Sequence, residues 1–205
     1  MEAEIIAVGT ELLLGDILNT NAQFLSRELA ALGITVHFQT VVGDNPARLE
    51  SVVRQARGRS DLLVFSGGLG PTEDDLTKQT VARAFGDTLR FDEAELEKIR
   101  AFFTAWGRTM PENNKKQAMV PTHGRKIPNA NGTAPGMIFE DQAAPGKYAV
   151  LLPGPPAELQ PMFLNEVKPW LAGLTDCALH SLVLRVAGIG ESHLEGKVAH
   201  LLAGE

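Results

Sequence analysis

The run Asp61-Leu62-Leu63-Val64-Phe65 stops at Ser66-Gly67-Gly68-Leu69-Gly70-Pro71-Thr72-Glu73-Asp74-Asp75-Leu76-Thr77-Lys78, and a helical pattern follows from Thr77 to Phe85. A buried strand that ends in closely spaced glycines and opens a helix admits few folds. Its turn presents backbone N–H groups with little steric cover, at the positive end of the helix dipole. Such a turn can hold an anion. Three consecutive acids, Glu73, Asp74 and Asp75, are out of place around a bare phosphate. They suit a phosphate that arrives with a divalent cation.

The same unit recurs along the chain. Glu4 to Val8 is a short apolar run ended by Gly9. Asn19-Thr20-Asn21 supplies helix caps before Ala22, Leu25, Leu29 and Leu32, which recur at helical spacing until Gly33. Ile34 to Val42 has the β-branched composition of a strand, and Pro46 opens a helix to about Arg57. Strands alternating with helices over short connections predict an α/β fold of three layers, a mostly parallel sheet with helices on both faces. Ligands of such sheets bind beyond the carboxyl ends of the strands. The Gly9-Thr10-Glu11 turn, Gly43-Asp44-Asn45 and the glycine loop all fall there.

Asp92 to Trp106 has helical spacing, and Pro111 to Met119 is expected as a short second helix. Val120 to Gly146 holds Pro121, Pro128, Pro135 and Pro145, which marks loops and short strands. Tyr148 to Leu152 predicts a buried strand, turned by Pro153-Gly154-Pro155-Pro156 into a helix reaching about Leu171. A further strand over Leu179–Val186 leads through Gly188-Ile189-Gly190 into a last helix. A lone strand and helix cannot easily bury both faces. The expected organisation is therefore a domain over residues 1–175 and the start of a small, truncated α/β linking domain over 176–205.

A net charge of -6 in 205 residues offers no field for nucleic acid, and no basic run offsets it. The acidic start, Met1-Glu2-Ala3-Glu4, is unlike a secretory signal, and no apolar run approaches membrane-spanning length. Cys177, the single cysteine, is expected as a small apolar residue of a reducing compartment. A cytoplasmic location without nucleic-acid or membrane partners is expected.

The glycine loop lacks the Gly-Lys-Ser/Thr of a P-loop and the third glycine of the dinucleotide fingerprint. The five histidines form no metal-ligand spacing, and no Ser-His-Asp order or nucleophile elbow occurs. Several candidates have plain structural alternatives. Thr72 or Asp74 could cap the helix that follows the loop, Asp44 the helix at Pro46, and Glu158 could simply oppose a helix dipole. Lys115 and Lys116 could offset phosphate charge or keep a helix face solvated. Asn131-Gly132-Thr133-Ala134-Pro135-Gly136 taken alone is a loop.

Taken in order, Ala3 to Gly15, Gly67 to Thr77, Asn114-Lys115-Lys116-Gln117-Ala118-Met119, Gly132 to Gly136 and Leu152-Pro153-Gly154 resemble the competence/damage-inducible CinA family. The resemblance covers nearly the whole chain. It implies the N-terminal domain of that family, with the fold of molybdopterin-binding domains. Asp75 stands where that wider superfamily has a functional aspartate after Gly-Gly-x-Gly, and Asp44 matches a second one after strand two. Arg185 to Ser192 resembles the entry to the family's linking domain.

The resemblance further implies metal-dependent hydrolysis of ADP-ribose to AMP and ribose 5-phosphate, and a homodimer. The expected catalytic residues are Asp75, Asp44, Lys78 and Glu11, with Asp74, Asp75 and Asp44 as ligands of a divalent ion such as Mg²⁺. Gly67, Gly68, Gly70, Thr72, Thr77, Asn114, Lys115, Gly132, Thr133 and Gly154 are expected to bind the nucleotide. Two alternatives stand beside this one, a molybdopterin-related nucleotidyl transferase and a non-catalytic nucleotide-binding regulatory module.

Overall fold

The computed structural model describes residues 1–175 and 185–202. Six strands form the main sheet: β1 (Glu2–Val8), β2 (Thr35–Val42), β3 (Leu62–Ser66), β6 (Arg125–Ile127), β7 (Gly136–Glu140) and β8 (Tyr148–Leu152). Their order is β2-β1-β3-β8-β7-β6. β2, β1, β3 and β8 are mutually parallel, while β7 and β6 add an antiparallel edge. The mostly parallel three-layer prediction agrees with this sheet.

Alternation along each strand divides the core. Ile5, Leu62, Val64, Val150 and Leu152 pack on one side with Leu25 and Leu29 of α2 (Thr20–Ala31). Ile6, Leu63, Phe65 and Leu151 pack on the other with Val53 of α3 (Pro46–Arg59) and Val81 of α4 (Thr77–Ala84). Side chains of successive strand residues point to opposite faces, so these near-continuous apolar runs need cover on both. The helices predicted from the sequence supply it. Asn19 caps α2 by accepting from Ala22 N–H, and Asn45 caps α3 by accepting from Arg48 N–H.

Two elements depart from the expected pattern. The turn after β1 winds into a short helix, α1 (Thr10–Leu14), with none of its residues buried. The segment Glu112–Ala118 forms a 3₁₀ helix, tied by buried Asn114 and Gln117 rather than by an apolar stripe. It leads into β5 (Met119–Pro121), which pairs with β4 (Leu89–Phe91) in a separate two-stranded sheet beside α5 (Glu93–Ala105). After β8, helix α6 (Pro156–Met162) passes through a π turn into α7 (Lys168–Ala172), as one nearly continuous helix. The expected strand at Leu179–Val186 lies for the most part outside the described residues. The helix after it is present as α8 (Glu191–Leu202). No helix among the described residues is long and apolar enough to cross a membrane.

Phe65 is fully buried on a central strand whose next residues open the glycine loop. Phe65→Ala is expected to cost about 3–5 kcal/mol of unfolding free energy, measured by urea denaturation.

Candidate active site

The carboxyl ends of β1, β3 and β8 lie side by side, and a cleft of about 390 Å³ opens over them. Its floor is backbone. Gly67 and Gly68 adopt φ of 100° and 69°. A Cβ on Gly67 would collide with the Val8 carbonyl oxygen, and one on Gly68 with Thr77 Oγ1. Gly67 N–H donates to Leu152 O at 3.0 Å, which stitches the loop to the end of β8. That bond corrects one expectation, because the Gly67 amide is occupied within the fold. The N–H groups of Gly68 and Gly70 have no backbone partner among the described residues.

Five carboxylates border the cleft: Glu11, Asp44, Asp74, Asp75 and Glu158. Among the described residues, no lysine, arginine or histidine lines it. Asp44 and Asp75 are held by matching clamps. Thr10 donates its N–H (3.0 Å) and its hydroxyl (2.8 Å) to Asp44 Oδ2. Thr72 donates its N–H (2.9 Å) and its hydroxyl to Asp75 Oδ2. In both carboxylates Oδ1 accepts no hydrogen bond among the described residues. Asp44 is therefore not the cap of α3, a task that falls to Asn45. The Thr72 hydroxyl, the backbone N–H of Asp74 and the Lys116 ammonium hold the Asp74 carboxyl below the usual carboxylate range. The hydroxyl bond itself is directed at Asp75.

Of the expected site residues, Glu11, Asp44, Gly67, Gly68, Gly70, Asp74, Asp75, Thr133 and Gly154 line this one cleft. Six others do not. Thr72 acts through Asp75, and buried Thr77 closes the loop with its N–H on Gly68 O. Asn114 donates to Gln117 Oε1 at 2.8 Å, and Gln117 reaches Leu69 O at 3.4 Å, so Asn114 props the loop from behind. Lys115 pairs with Glu112 and borders a different hollow. Gly132 lies against Glu158. Lys78 is buried, with its ammonium donating to the carbonyls of Lys116 and Met119. It ties the 3₁₀ segment to α4 and does not enter the cleft.

Gln117 and Glu158 enter the site although neither carried an assigned role in the sequence. The i,i+3 spacing of Asn114 and Gln117 was the available signal for the first. For Glu158 the signal lay far away in sequence, in the polar turn Asn129-Ala130-Asn131 that meets it.

Residues 4–173 match the family described as "Probable molybdopterin binding domain". A molybdopterin biosynthesis protein from Mycobacterium abscessus shares the fold, with a TM-score of 0.54 at 19% identity over 84% of this chain and 92% of that one. The protein CinA of Thermoplasma acidophilum, described as of unknown function, is more similar: its TM-score is 0.73 at 37% identity, covering 82% of this chain and 98% of that one. The whole chain is 53% identical over 205 residues to a "Putative competence-damage inducible protein" of Caldicellulosiruptor bescii. It covers 49% of that protein, so the chain spans about half the length of the curated relatives it matches. The chain belongs to the molybdopterin-binding-domain family and, within it, to the CinA-like competence-damage inducible proteins.

Burial and the nearby Lys116 ammonium pull the Lys78 pKa down to about 7, against the opposing pull of Asp75. In the unfolded chain a lysine keeps its ordinary value, near ~10.4. Between these values the unfolded chain binds more protons at this position, so stability rises with pH across that window. Lys78→Met is expected to remove this part of the slope. Urea unfolding of both forms between about pH 7 and 9 reads it directly.

Proposed function

We propose that the chain hydrolyses the pyrophosphate bond of ADP-ribose to AMP and ribose 5-phosphate, assisted by a divalent ion such as Mg²⁺. The observation that carries this reading is the pairing of a backbone floor with five carboxylates and, among the described residues, no lining cation. A nucleoside diphosphate cannot approach such a wall unaccompanied, because like charges in a confined site repel strongly. The choice of ADP-ribose among such compounds rests on the family resemblance.

The residues fit a hard cation. Asp44 and Asp75 each have one oxygen anchored by a threonine and the other unclaimed among the described residues. Carboxylate oxygens suit Mg²⁺, which is commonly held by one or two carboxylates together with substrate phosphates. Among the described residues Asp44, Asp74 and Asp75 do not form a three-ligand cluster, so two carboxylates and the substrate's own phosphates would hold the ion. Such an ion, when bound, would neutralise charge on the phosphate oxygens. Asp44 and Asp75 would hold it, with Asp74 beside them.

The chain's own groups do the remainder. The N–H groups of Gly68 and Gly70 would donate to the diphosphate, and the threonine clamps would keep the two aspartates oriented. Thr133 and Gly154 would form the far wall. Gln117 would keep Leu69 and the loop in place. Preorganised donors of this kind stabilise charge as it develops on the phosphate oxygens.

Incubation with ADP-ribose and Mg²⁺, followed by separation of products, is expected to give AMP and ribose 5-phosphate. A chelator should abolish turnover, and Asp75→Asn should lower kcat about 100-fold or more. Full activity in that variant contradicts the reading. ATP-dependent adenylylation without hydrolysis would instead indicate the transferase, and binding without turnover the regulatory module.

A further inference from the structure

Glu158 stands apart from the other acids of the cleft. The strand order β2-β1-β3-β8 places Asp44, which follows β2, at one end of the row of strand ends. Glu158, in the first turn after β8, stands at the other, with the glycine loop between them. Its carboxylate is half-buried and has no cation partner among the described residues. Asn129 Nδ2 donates to Oε2 at 2.6 Å, while Oε1 accepts nothing among the described residues.

The chain holds this carboxylate in place with the turn that starts at Asn129. Asn131 N–H donates to Asn129 Oδ1 at 3.0 Å, so the amide presents its nitrogen to Glu158. The same nitrogen donates to Ala134 O at 2.9 Å, and Asn131 Nδ2 reaches Ala157 O at 2.8 Å. A Cβ on Gly132 would collide with Glu158 Oε2, so a larger residue there would displace the carboxylate from its present position. Asn129 and Gly132 thus close around the Glu158 carboxylate.

We propose that Glu158 accepts the proton of the attacking water in the hydrolysis proposed above, an inference that rests on that reading of the cleft. The water oxygen forms a bond to one phosphorus, and the bridging P–O bond breaks with its electron pair leaving on the departing phosphate monoester. Glu158 takes one water proton and returns it to solvent after the products depart. Nothing is oxidised or reduced. Asp44 and Asp75 are clamped by threonines at Oδ2, which leaves Oδ1 of each for the cation, and Glu11 is exposed on α1. Asp75 is half-buried, fixed and open at one oxygen as well, but that oxygen is assigned to the cation; Glu158 is the half-buried, fixed carboxylate of the cleft that the cation does not claim.

Burial pushes the Glu158 carboxyl above its usual range, and the Asn129 amide opposes that shift. The other titratable side chains lining the two hollows it borders are Glu11, Asp44, Asp74 and Asp75 on the cleft side and Glu166 on the other. All are acidic, so nothing cationic counters the upward shift. A base with a raised pKa is well matched to proton transfer near neutral pH.

The test compares the native chain with Glu158→Gln and Asn129→Ala, over a range of pH, with ADP-ribose and Mg²⁺. Glu158→Gln is expected to lower kcat by about 100-fold or more while KM changes by less than about threefold, and to erase the acidic limb of the pH profile. Asn129→Ala, which removes the one donor favouring the charged form, is expected to lower kcat less than Glu158→Gln does and to move that limb to higher pH. Thermal unfolding of each variant reports whether the fold is intact. Native kcat in Glu158→Gln, or an effect on KM alone, overturns the assignment. Absence of hydrolysis by the native chain overturns the reading of the cleft itself, whereas native turnover that Glu158→Gln leaves untouched overturns only the role of Glu158.

Discussion

No side chain fits where the loop after β3 passes over the end of β1. Gly67 lies so close to the Val8 carbonyl that even a methyl group would collide, and its N–H is bonded to Leu152 O at the end of β8. One residue thereby joins three parallel strands at their carboxyl ends. Everything in the cleft depends on that closure. It sets the height of the floor, where the N–H groups of Gly68 and Gly70 have no backbone partner among the described residues.

The acids around this floor would repel one another and any anionic ligand in isolation. Hydrogen bonds organise them without neutralising them. Thr10 and Thr72 turn Asp44 and Asp75 by the same two-donor contact, although one follows β2 and the other lies in the β3–α4 loop. Asn129 holds Glu158 by a single amide. Positive charge is placed outside: Lys78 and Lys116 donate to backbone carbonyls, and Lys115 pairs with Glu112. A cleft that orders its carboxylates and has no lysine among its described lining residues is the basis of the proposed metal-assisted chemistry.

Local pattern made much of this legible in the sequence. Apolar runs ended by turn residues and followed by helical spacing located β1, β3, β8 and their helices, and the strand-end rule then brought Glu11, Asp44 and the glycine loop to one edge. What stayed hidden depends on partners far apart in the chain. That Asn45 rather than Asp44 caps α3 follows from Thr10, which claims Asp44 across 34 residues. Lys78 was placed near phosphate because of its neighbours in sequence, yet carbonyls of residues 116 and 119 draw it to the back of α4. Glu158 fits a dipole argument perfectly well until Asn129 and Gly132 close around it. Helix α1 has no buried residue, and so lacked the apolar stripe by which a helix announces itself.

Amide NMR of the isotope-labelled chain, titrated with ADP-ribose in the presence and absence of Mg²⁺, tests the central claim most directly. The account predicts Mg²⁺-dependent shifts concentrated at Gly68, Gly70, Asp44, Asp75 and Gly154. Shifts that ignore Mg²⁺, or that gather instead at the hollow beside His37 to Gln39, would contradict it.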